Sequence, residues 1–408
     1  MTLSTKSGAH LPNSDNFWRD FYNRPVGHGN VVSGLHTVEL LEEFSSYQDT
    51  QIGYFERAEK AIAQLPSHFH DAALAVFGNV TYVHKQLLDA THQYHWLAVR
   101  EQAKALSLTA PRNLADVHLF EVDQSGLSNK FVQQNFLSGR LNPEQSTRLQ
   151  DVREVLLALE DATTQPHTQR GAEALEDLWA LSSRQHWLVL TDKALSGQSL
   201  AGDIERYIAL RNILALWNLD SKPVIYVCAQ IMTNDALSVL MQPSGLTLLD
   251  DWKDIHILPA IVLSEQMKVN SPKCALFDSA TLTTEVHDLC EWFAKNILAA
   301  DKSLSTVIQN SGNNMVYGYG GSGLLLADPI NTPTNSLPLL WFDSTDPGSQ
   351  VEQMPPECPV YTAPFPRTHS RRGAERKRTS STRWSELRNP ATQAEIAATL
   401  GGRREQDD

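Results

Sequence analysis

The sequence has few cysteines and no long apolar run, and these two absences exclude several classes of protein. Only four of the 408 residues are cysteines, and none of them has the C-x-x-C spacing typical of a zinc or redox site. No stretch approaches the ~20 apolar residues of a membrane-spanning helix, and the residues after Met1 do not resemble a signal peptide. We therefore expect a cytoplasmic protein without a disulfide framework, a zinc centre or a membrane contact.

Basic residues are fewer than acidic residues, and they are unevenly distributed along the chain. The net charge of -13 argues against a protein whose whole surface binds nucleic acid. However, residues 367–383, here called the basic segment, contain a single acid, Glu375. The candidates for nucleic-acid contact in this segment are Arg371, Arg372, Arg376, Lys377 and Arg378. The alternative is a tail that is solvated or docked on an acidic body.

Apolar runs that alternate with amphipathic stretches predict a mostly parallel sheet in an α/β fold. The predicted strands are Val117–Val122, Trp187–Thr191, Val224–Met232 and Ile257–Leu263. The predicted helices include Leu200–Asn218, Glu285–Leu298 and Pro390–Leu400, the last of them closed by Gly401. Ligands of such sheets bind at the carboxyl ends of the strands.

The same patterns predict three parts. Residues 1–110 form an N-terminal helical region, because apolar residues recur there at helical spacing. Residues 111–345 form the α/β domain. Residues 346–408 form a Pro-rich and basic C-terminal tail with a short helix.

One strand-to-helix junction has the composition of an anion site. Asp192 and Lys193 follow the apolar run 187–191, and Ser196, Gly197, Gln198 and Ser199 then lead into a helix. Backbone N–H groups and hydroxyls of such a turn converge on an anion at the helix N-terminus. The alternative is that Asp192 only caps the helix and pairs with Lys193.

Two further segments carry similar turn chemistry. Ser125 and Gly126 follow the first predicted strand, where a plain strand-to-helix turn is the alternative interpretation. The Gly-rich stretch Tyr317–Gly323 precedes Asn331-Thr332-Pro333-Thr334-Asn335, which runs into an apolar stretch interpreted as a strand. Asx and proline turns account equally well for those asparagines.

Together these three segments resemble the phosphoribosyltransferases of prokaryotic conflict systems, which occur beside other anti-phage components, including some retrons. The resemblance extends from about Pro66 to Trp341 and implies a type I phosphoribosyltransferase fold. One departure is clear: Thr191 stands where the family has the first of two acids, so Asp192 alone remains of the pair.

The resemblance also implies roles for these residues. Asp192 would orient the ribose of phosphoribosyl pyrophosphate or a nucleotide, with Mg²⁺, and residues 196–199 would hold the 5-phosphate. Ser125 and Gly126 would hold the pyrophosphate, Lys193 would neutralise a phosphate, and Asn331 and Asn335 would border the base. The implied activity makes or breaks a bond at ribose C1. The implied partners are a reverse transcriptase and its RNA or DNA product.

A second hypothesis is a catalytically eroded protein that senses a nucleotide or assembles with a partner protein and RNA or DNA. Thr191 in place of an acid favours this hypothesis, whereas the two Ser-Gly loops favour the enzyme. Metal ligation by histidines is not expected: the pairs His68 and His70, and His92 and His95, have no acid at a ligand offset.

Overall fold

The computed structural model describes eleven parts of the chain. They are residues 54–83, 85–122, 127–136, 152–218, 222–241, 255–300, 315–328, 332–344, 360–365, 384–387 and 389–407. The chain divides into two compact units. Unit 1 comprises Met1–Leu87 and Leu263–Gly373, and unit 2 comprises Leu88–Val262 and Ala374–Asp408. Each unit joins segments that are distant in sequence, and the division into three parts stays a prediction.

The described residues alternate between helices and strands along most of their length. The helices are α1 (Tyr54–Ala63), α2 (His70–Gly78), α3 (Lys85–Ala105), α4 (Leu127–Asn135), α5 (Val152–Thr164), α6 (Gln169–Ser182), α7 (Gln198–Trp217), α8 (Asn234–Met241), α9 (Ala280–Asn296), α10 (Pro338–Trp341), α11 (Trp384–Leu387) and α12 (Pro390–Asp407). The strands are β1 (Thr81–Tyr82), β2 (Val117–Glu121), β3 (His186–Ala194), β4 (Val224–Thr233), β5 (Ile255–Leu263) and β6 (Leu326–Ala327).

A four-stranded sheet with the order β2-β3-β4-β5 forms the centre of unit 2. β3 is parallel to both β2 and β4, with Val117 and Val224 each opposite His186. β1 and β6 of unit 1 are also parallel. The prediction of an α/β fold with a mostly parallel sheet is therefore confirmed.

Both faces of the four-stranded sheet are covered by helices, because successive side chains of a strand point to opposite faces. Trp187 and Val189 of β3 pack in one core with residues of α5, α6, α7 and α8. Leu188 and Leu190 pack in a second core with residues of α3 and α4. A strand buried on both faces needs a continuous apolar run, and this explains why the strands were recognisable from sequence.

Unit 1 has its own core, in which helices surround the short β1–β6 pair. Ala58 of α1, Phe77 of α2 and Phe293 of α9 are buried in it, together with Ala327 of β6. Arg57 extends this packing by donating from Nε to the carbonyl of Pro364 at 2.8 Å. None of the helices within the described ranges combines the length and apolar character that a bilayer crossing requires.

Several predicted element boundaries are wrong. The helix predicted over Glu285–Leu298 is α9, which begins at Ala280 and ends at Asn296, and β5 begins at Ile255 instead of Ile257. β3 does not end at Thr191 but continues to Ala194, because β4 supplies partners: Lys193 pairs with Ile231 and Ala194 with Met232. α12 does not end at Gly401 but runs to Asp407. A Cβ built on Gly401 would lie 3.9 Å from Cδ1 of Trp217, so this glycine sits where α12 packs on α7.

The apolar stretch after Asn335 is also not a strand. Residues Pro338–Trp341 form the short helix α10, with the proline in its first turn. Proline fixes φ near the helical value and has no N–H for a strand ladder, so it favours the helix.

Candidate ligand-binding site

Asp192 and Lys193 form an ion pair near the carboxyl end of β3. The Lys193 backbone N–H donates to Oδ1 of Asp192 at 2.7 Å, and its Nζ donates to Oδ2 at 3.2 Å. Their side chains are only 14% and 10% exposed, respectively. Of the alternatives that the sequence allows, the structure shows the ion pair between Asp192 and Lys193. Both carboxylate oxygens of Asp192 accept from Lys193.

Thr233, at the end of β4, holds the chain that follows Lys193. Its buried hydroxyl donates to the carbonyl of Leu195 at 2.7 Å and accepts the backbone N–H of Ala236 at 3.1 Å. The second of these bonds caps the N-terminus of α8. The turn after β3 is therefore fixed to the neighbouring β4–α8 junction. Sequence reasoning missed this threonine, although a threonine directly before Asn-Asp is a helix-start signal.

Gly197 adopts a backbone conformation that suits glycine alone. Its φ is 74°, and it stands immediately before α7. A Cβ at this position would lie 2.8 Å from both Cα and O of Ala236, closer than atoms can approach. The structure thus gives Gly197 a packing requirement, whereas the sequence suggested that its role was to let a phosphate approach the backbone.

The turn still presents donors to an anion. α7 begins at Gln198, and the first N–H groups of a helix have no carbonyl partner within it. Their dipoles favour negative charge at this end. Ser196 is half-buried beside them and Gln198 is exposed; Ser199 lies in the first turn, with its side chain outside the description. The predicted residues Ser196–Ser199 thus lie at one helix N-terminus, a few residues after Asp192.

We expect Gly197→Ala to destabilise the fold by about 1–3 kcal/mol from the left-handed backbone alone, and Gly197→Val to do so more severely. Thermal unfolding measures the effect. Gly202→Ala in the same helix is the matched control, since a Cβ there meets nothing within 4 Å. That control should be neutral or stabilising by up to about 1 kcal/mol. Equal melting temperatures for Gly197→Ala and Gly202→Ala would contradict the packing role.

Ligand affinity gives a second comparison at this turn. Ser199→Ala removes one hydroxyl among several donors and should cost on the order of 1 kcal/mol of binding. Gly197→Val should weaken binding more, since it distorts the turn as well. Titration calorimetry on folded samples ranks the two variants, and the reverse order would contradict a backbone phosphate site.

Glu121 holds the start of α4 at the carboxyl end of β2. This buried carboxylate accepts the backbone N–H of Ser128 at 2.7 Å, and Glu121 pairs with Leu190 of β3. A carboxylate on the first turn of a helix is stabilised by the helix dipole. Sequence reasoning assigned this junction to Ser125 and Gly126, which lie outside the described residues.

A buried polar cluster of α3 contacts β4 beside Asp192. Gln230 lies between Ala229, which pairs with Thr191 of β3, and Ile231, which pairs with Lys193. Its Nε2 donates to the carbonyl of Leu88 and to Oγ1 of Thr91, both at 2.8 Å, and approaches Nε2 of His92 at 3.3 Å.

His95 lies one helical turn further along α3. Its Nε2 donates to the carbonyl of Ala229 at 3.1 Å, since a carbonyl oxygen only accepts. Burial lowers the pKa values of both His92 and His95 from 6.5 to about 4. Both rings are therefore neutral at pH 7, and this cluster adds no positive charge to the site.

The Gly-rich turn belongs to unit 1. Gly318 has a φ of 79°, and a Cβ on it would overlap the carbonyl oxygens of Thr334, Asn335 and Ser336. Asn335 donates from Nδ2 to the Tyr319 carbonyl at 2.9 Å and to Oγ of Ser322 at 3.1 Å. Both bonds tie the Asn-Thr-Pro stretch to the Gly-rich turn. Asn331 lies outside the described residues.

Some predicted site residues fall outside the described part of the chain. Arg371, Arg372, Arg376, Lys377 and Arg378 all do so, and their role in nucleic-acid binding stays a prediction. Within the described ranges there is no group of three or more His, Cys, Asp or Glu side chains suited to a metal ion.

Comparison with known proteins places the chain in one family. The sequence matches the family model PRTase-CE over residues 73–367, which is more than half of its length. No curated protein and no solved structure matches it. The matched stretch contains the four-stranded sheet, the β3–α7 turn with Asp192, and the Gly-rich turn of unit 1. The chain therefore belongs to the PRTase-CE family and contains a phosphoribosyltransferase-like domain.

Proposed function

We propose that the carboxyl end of β3 binds phosphoribosyl pyrophosphate or a related nucleotide and that the protein makes or breaks a bond at ribose C1. The observation that carries this proposal is the order of groups along one short stretch. A carboxylate at Asp192, an ammonium at Lys193 and the N-terminus of α7 follow one another within the family-matched region. Such a stretch offers partners for sugar hydroxyls and for a phosphate.

Each group has a distinct role in this proposal. Asp192 accepts hydrogen bonds from ribose hydroxyls, and residues 196–199 hold the 5-phosphate. Lys193 exchanges its carboxylate partner for a phosphate oxygen. Ser125 with Gly126 holds the pyrophosphate, and Asn331 with Asn335 borders the base.

The reaction needs no protein nucleophile. A bond at ribose C1 breaks through a state with positive charge on the sugar, so catalysis consists of stabilising the pyrophosphate and positioning the incoming group. Lys193 and the N–H groups of α7 supply positive electrostatic potential for these phosphates.

The residues present fit a Mg²⁺ ion that arrives with the ligand. Mg²⁺ is commonly held by one or two carboxylates together with substrate phosphates. Asp192 would supply that carboxylate once the Lys193 ammonium, 3.2 Å from Oδ2, moves to a phosphate. When bound, the ion neutralises charge on the pyrophosphate.

The burial of Thr191 favours a second candidate function, nucleotide sensing or assembly without catalysis. This residue is 2% exposed and stands where the resembled family has its first acid. A buried hydroxyl cannot replace a carboxylate on the ribose. The two functions differ in turnover. Only the enzyme releases a product, which is pyrophosphate when phosphoribosyl pyrophosphate is the substrate and the base when a nucleotide is.

Titration calorimetry with phosphoribosyl pyrophosphate, with and without Mg²⁺, tests the proposed ligand. We expect binding that strengthens when Mg²⁺ is present. A coupled assay for pyrophosphate, run on the same sample with candidate bases, then separates the enzyme from the sensor. No heat of binding under either condition would contradict phosphoribosyl pyrophosphate as the ligand of this site.

We also propose an anti-phage role, for example within a retron, for which the resemblance to conflict-system proteins is the support. The proposed partners are a reverse transcriptase and its RNA or DNA product, contacted by the basic segment. Seven Lys or Arg residues between 367 and 383 oppose the net charge of the chain. Positive charge of this density suits nucleic-acid phosphates.

Neutralising Arg371, Arg372, Arg376, Lys377 and Arg378 to Gln should weaken nucleic-acid binding and flatten its salt dependence. On duplex DNA, the slope of log affinity against log salt falls by about 0.9 for each phosphate that the protein no longer neutralises. Gel shifts with the operon's nucleic acid at several salt concentrations measure this slope. If the wild type and the variant bind equally at every salt concentration, the segment does not contact nucleic acid.

A further inference from the structure

A groove in unit 2 lies apart from the candidate site described above. It has a volume of about 710 Å³ and is formed by the α5–α6 connection, α6 and the end of α7. Its lining residues are Pro166, His167, Thr168, Gln169, Ala172, Leu175, Glu176, Trp179 and Trp217. This volume is in the range of small-molecule sites. Trp217 ends α7 whereas Gln198 begins it, so the groove lies about 28 Å along the helix from the β3–α7 turn.

The groove combines aromatic surface with negative charge. Trp179 and Trp217 meet edge to face, with ring centroids 5.2 Å apart and an interplanar angle of 76°. Glu176 is exposed and is the only Asp, Glu, Lys or Arg among the lining residues. Such a lining repels phosphates and other anions. It attracts organic cations, because indole faces are the strongest aromatic partners of a cation.

We propose that this groove binds a guanidinium group, which lies against an indole of Trp179 or Trp217 and pairs with Glu176. Guanidinium suits the groove better than ammonium, because it is planar, stacks on aromatic rings and donates two parallel hydrogen bonds to a carboxylate. Two sources share this chemistry: an arginine of the chain's own basic segment or a separate ligand.

Arginine amide and its uncharged isostere citrulline amide are the probes. The protein is labelled with ¹⁵N at its nine tryptophans, and the indole signals of Trp179 and Trp217 are followed by NMR. We expect arginine amide to shift these two signals and citrulline amide to leave them unchanged. Glu176→Gln should weaken the binding by about threefold to fivefold, as for an exposed ion pair. Glu101→Gln, which removes an exposed carboxylate from α3, is the matched control and should bind as the wild type does.

The same titration on the variant with a neutralised basic segment separates the two sources. Tighter binding of arginine amide by that variant than by the wild type identifies the chain's own arginines as occupants. Equal binding excludes the arginines of the basic segment and leaves a separate guanidinium compound as the occupant. The proposal is overturned if the two indole signals shift in neither protein, if citrulline amide shifts them equally, or if Glu176→Gln binds as tightly as the wild type.

Discussion

Acidification from pH 7 to pH 4 should destabilise unit 2 by several kcal/mol, and most of this loss should come from His92 and His95. Burial is the main cause of their low pKa values, which fall from 6.5 to about 4; at His92, the neighbouring His95 and Lys130 of α4 lower the pKa further. The folded state therefore resists protonation of these rings, while the unfolded chain accepts protons near pH 6.5.

The direction of the effect follows from proton linkage. Above pH 6.5 both states carry neutral rings, and the contribution to stability is complete. As the pH falls from 6.5 to 4, the unfolded state binds more protons and stability declines. At pH 4 the contribution of each histidine to the free energy of unfolding should therefore have fallen by about 3 kcal/mol, since one pKa unit corresponds to about 1.4 kcal/mol.

Denaturant unfolding at several pH values measures this loss, with His95→Gln as the informative variant. Glutamine keeps a donor for the carbonyl of Ala229, which accepts from His95 at 3.1 Å, but does not titrate. Between pH 6.5 and 4, the free energy of unfolding of the variant should depend less steeply on pH, by the contribution of one titrating group. Identical pH dependence in the wild type and in His95→Gln would contradict the assignment to this buried cluster.

Asp192→Asn should reduce Mg²⁺-dependent ligand affinity by about 100-fold or abolish cellular activity, because hydrogen bonds to a charged carboxylate contribute about 1.5–3 kcal/mol each. The variant should remain folded, although it removes the ion pair between Asp192 and Lys193. Titration calorimetry measures the affinity, and circular dichroism checks the fold.

Two controls make this result specific. Asp161→Asn breaks another ion pair of a buried aspartate, with Arg170 at 2.7 Å on α6, and should leave ligand affinity unchanged. The double variant Asp192→Asn with Lys193→Gln removes both charges of the pair, so it separates the loss of the carboxylate from the loss of its ion pair with Lys193. Unchanged affinity in folded Asp192→Asn would reduce Asp192 to a structural partner of Lys193.

The strands could be predicted from sequence because strands buried on both faces require continuous apolar runs, as in Trp187–Leu190. The end of β3 could not. Asp192 and Lys193 are charged, and they extend the strand beyond Thr191 only because β4 provides pairing partners as far as Met232. Local sequence carries no information about such a neighbour.

The candidate ligand-binding site could likewise be predicted only in part from local sequence. The Ser-Gly turn after β3 was recognisable from its composition, and the structure places it at the start of α7. Position 197 requires glycine because the backbone of Ala236, almost 40 residues later in the chain, packs against it. The Thr233 hydroxyl that holds Leu195 depends on the same tertiary approach. Unit 1 likewise brings α1 and α2 together with α9, which follows only after the whole sheet of unit 2.

Crystallographic density for phosphoribosyl pyrophosphate and Mg²⁺, soaked into crystals of the full chain, tests the central proposal most directly. The proposal predicts a phosphate within hydrogen-bond distance of the backbone N–H groups of residues 196–199, with ribose hydroxyls at Asp192 and the Lys193 ammonium turned toward a phosphate. Ligand density elsewhere, with the 3.2 Å contact between Lys193 and Asp192 retained, would contradict it.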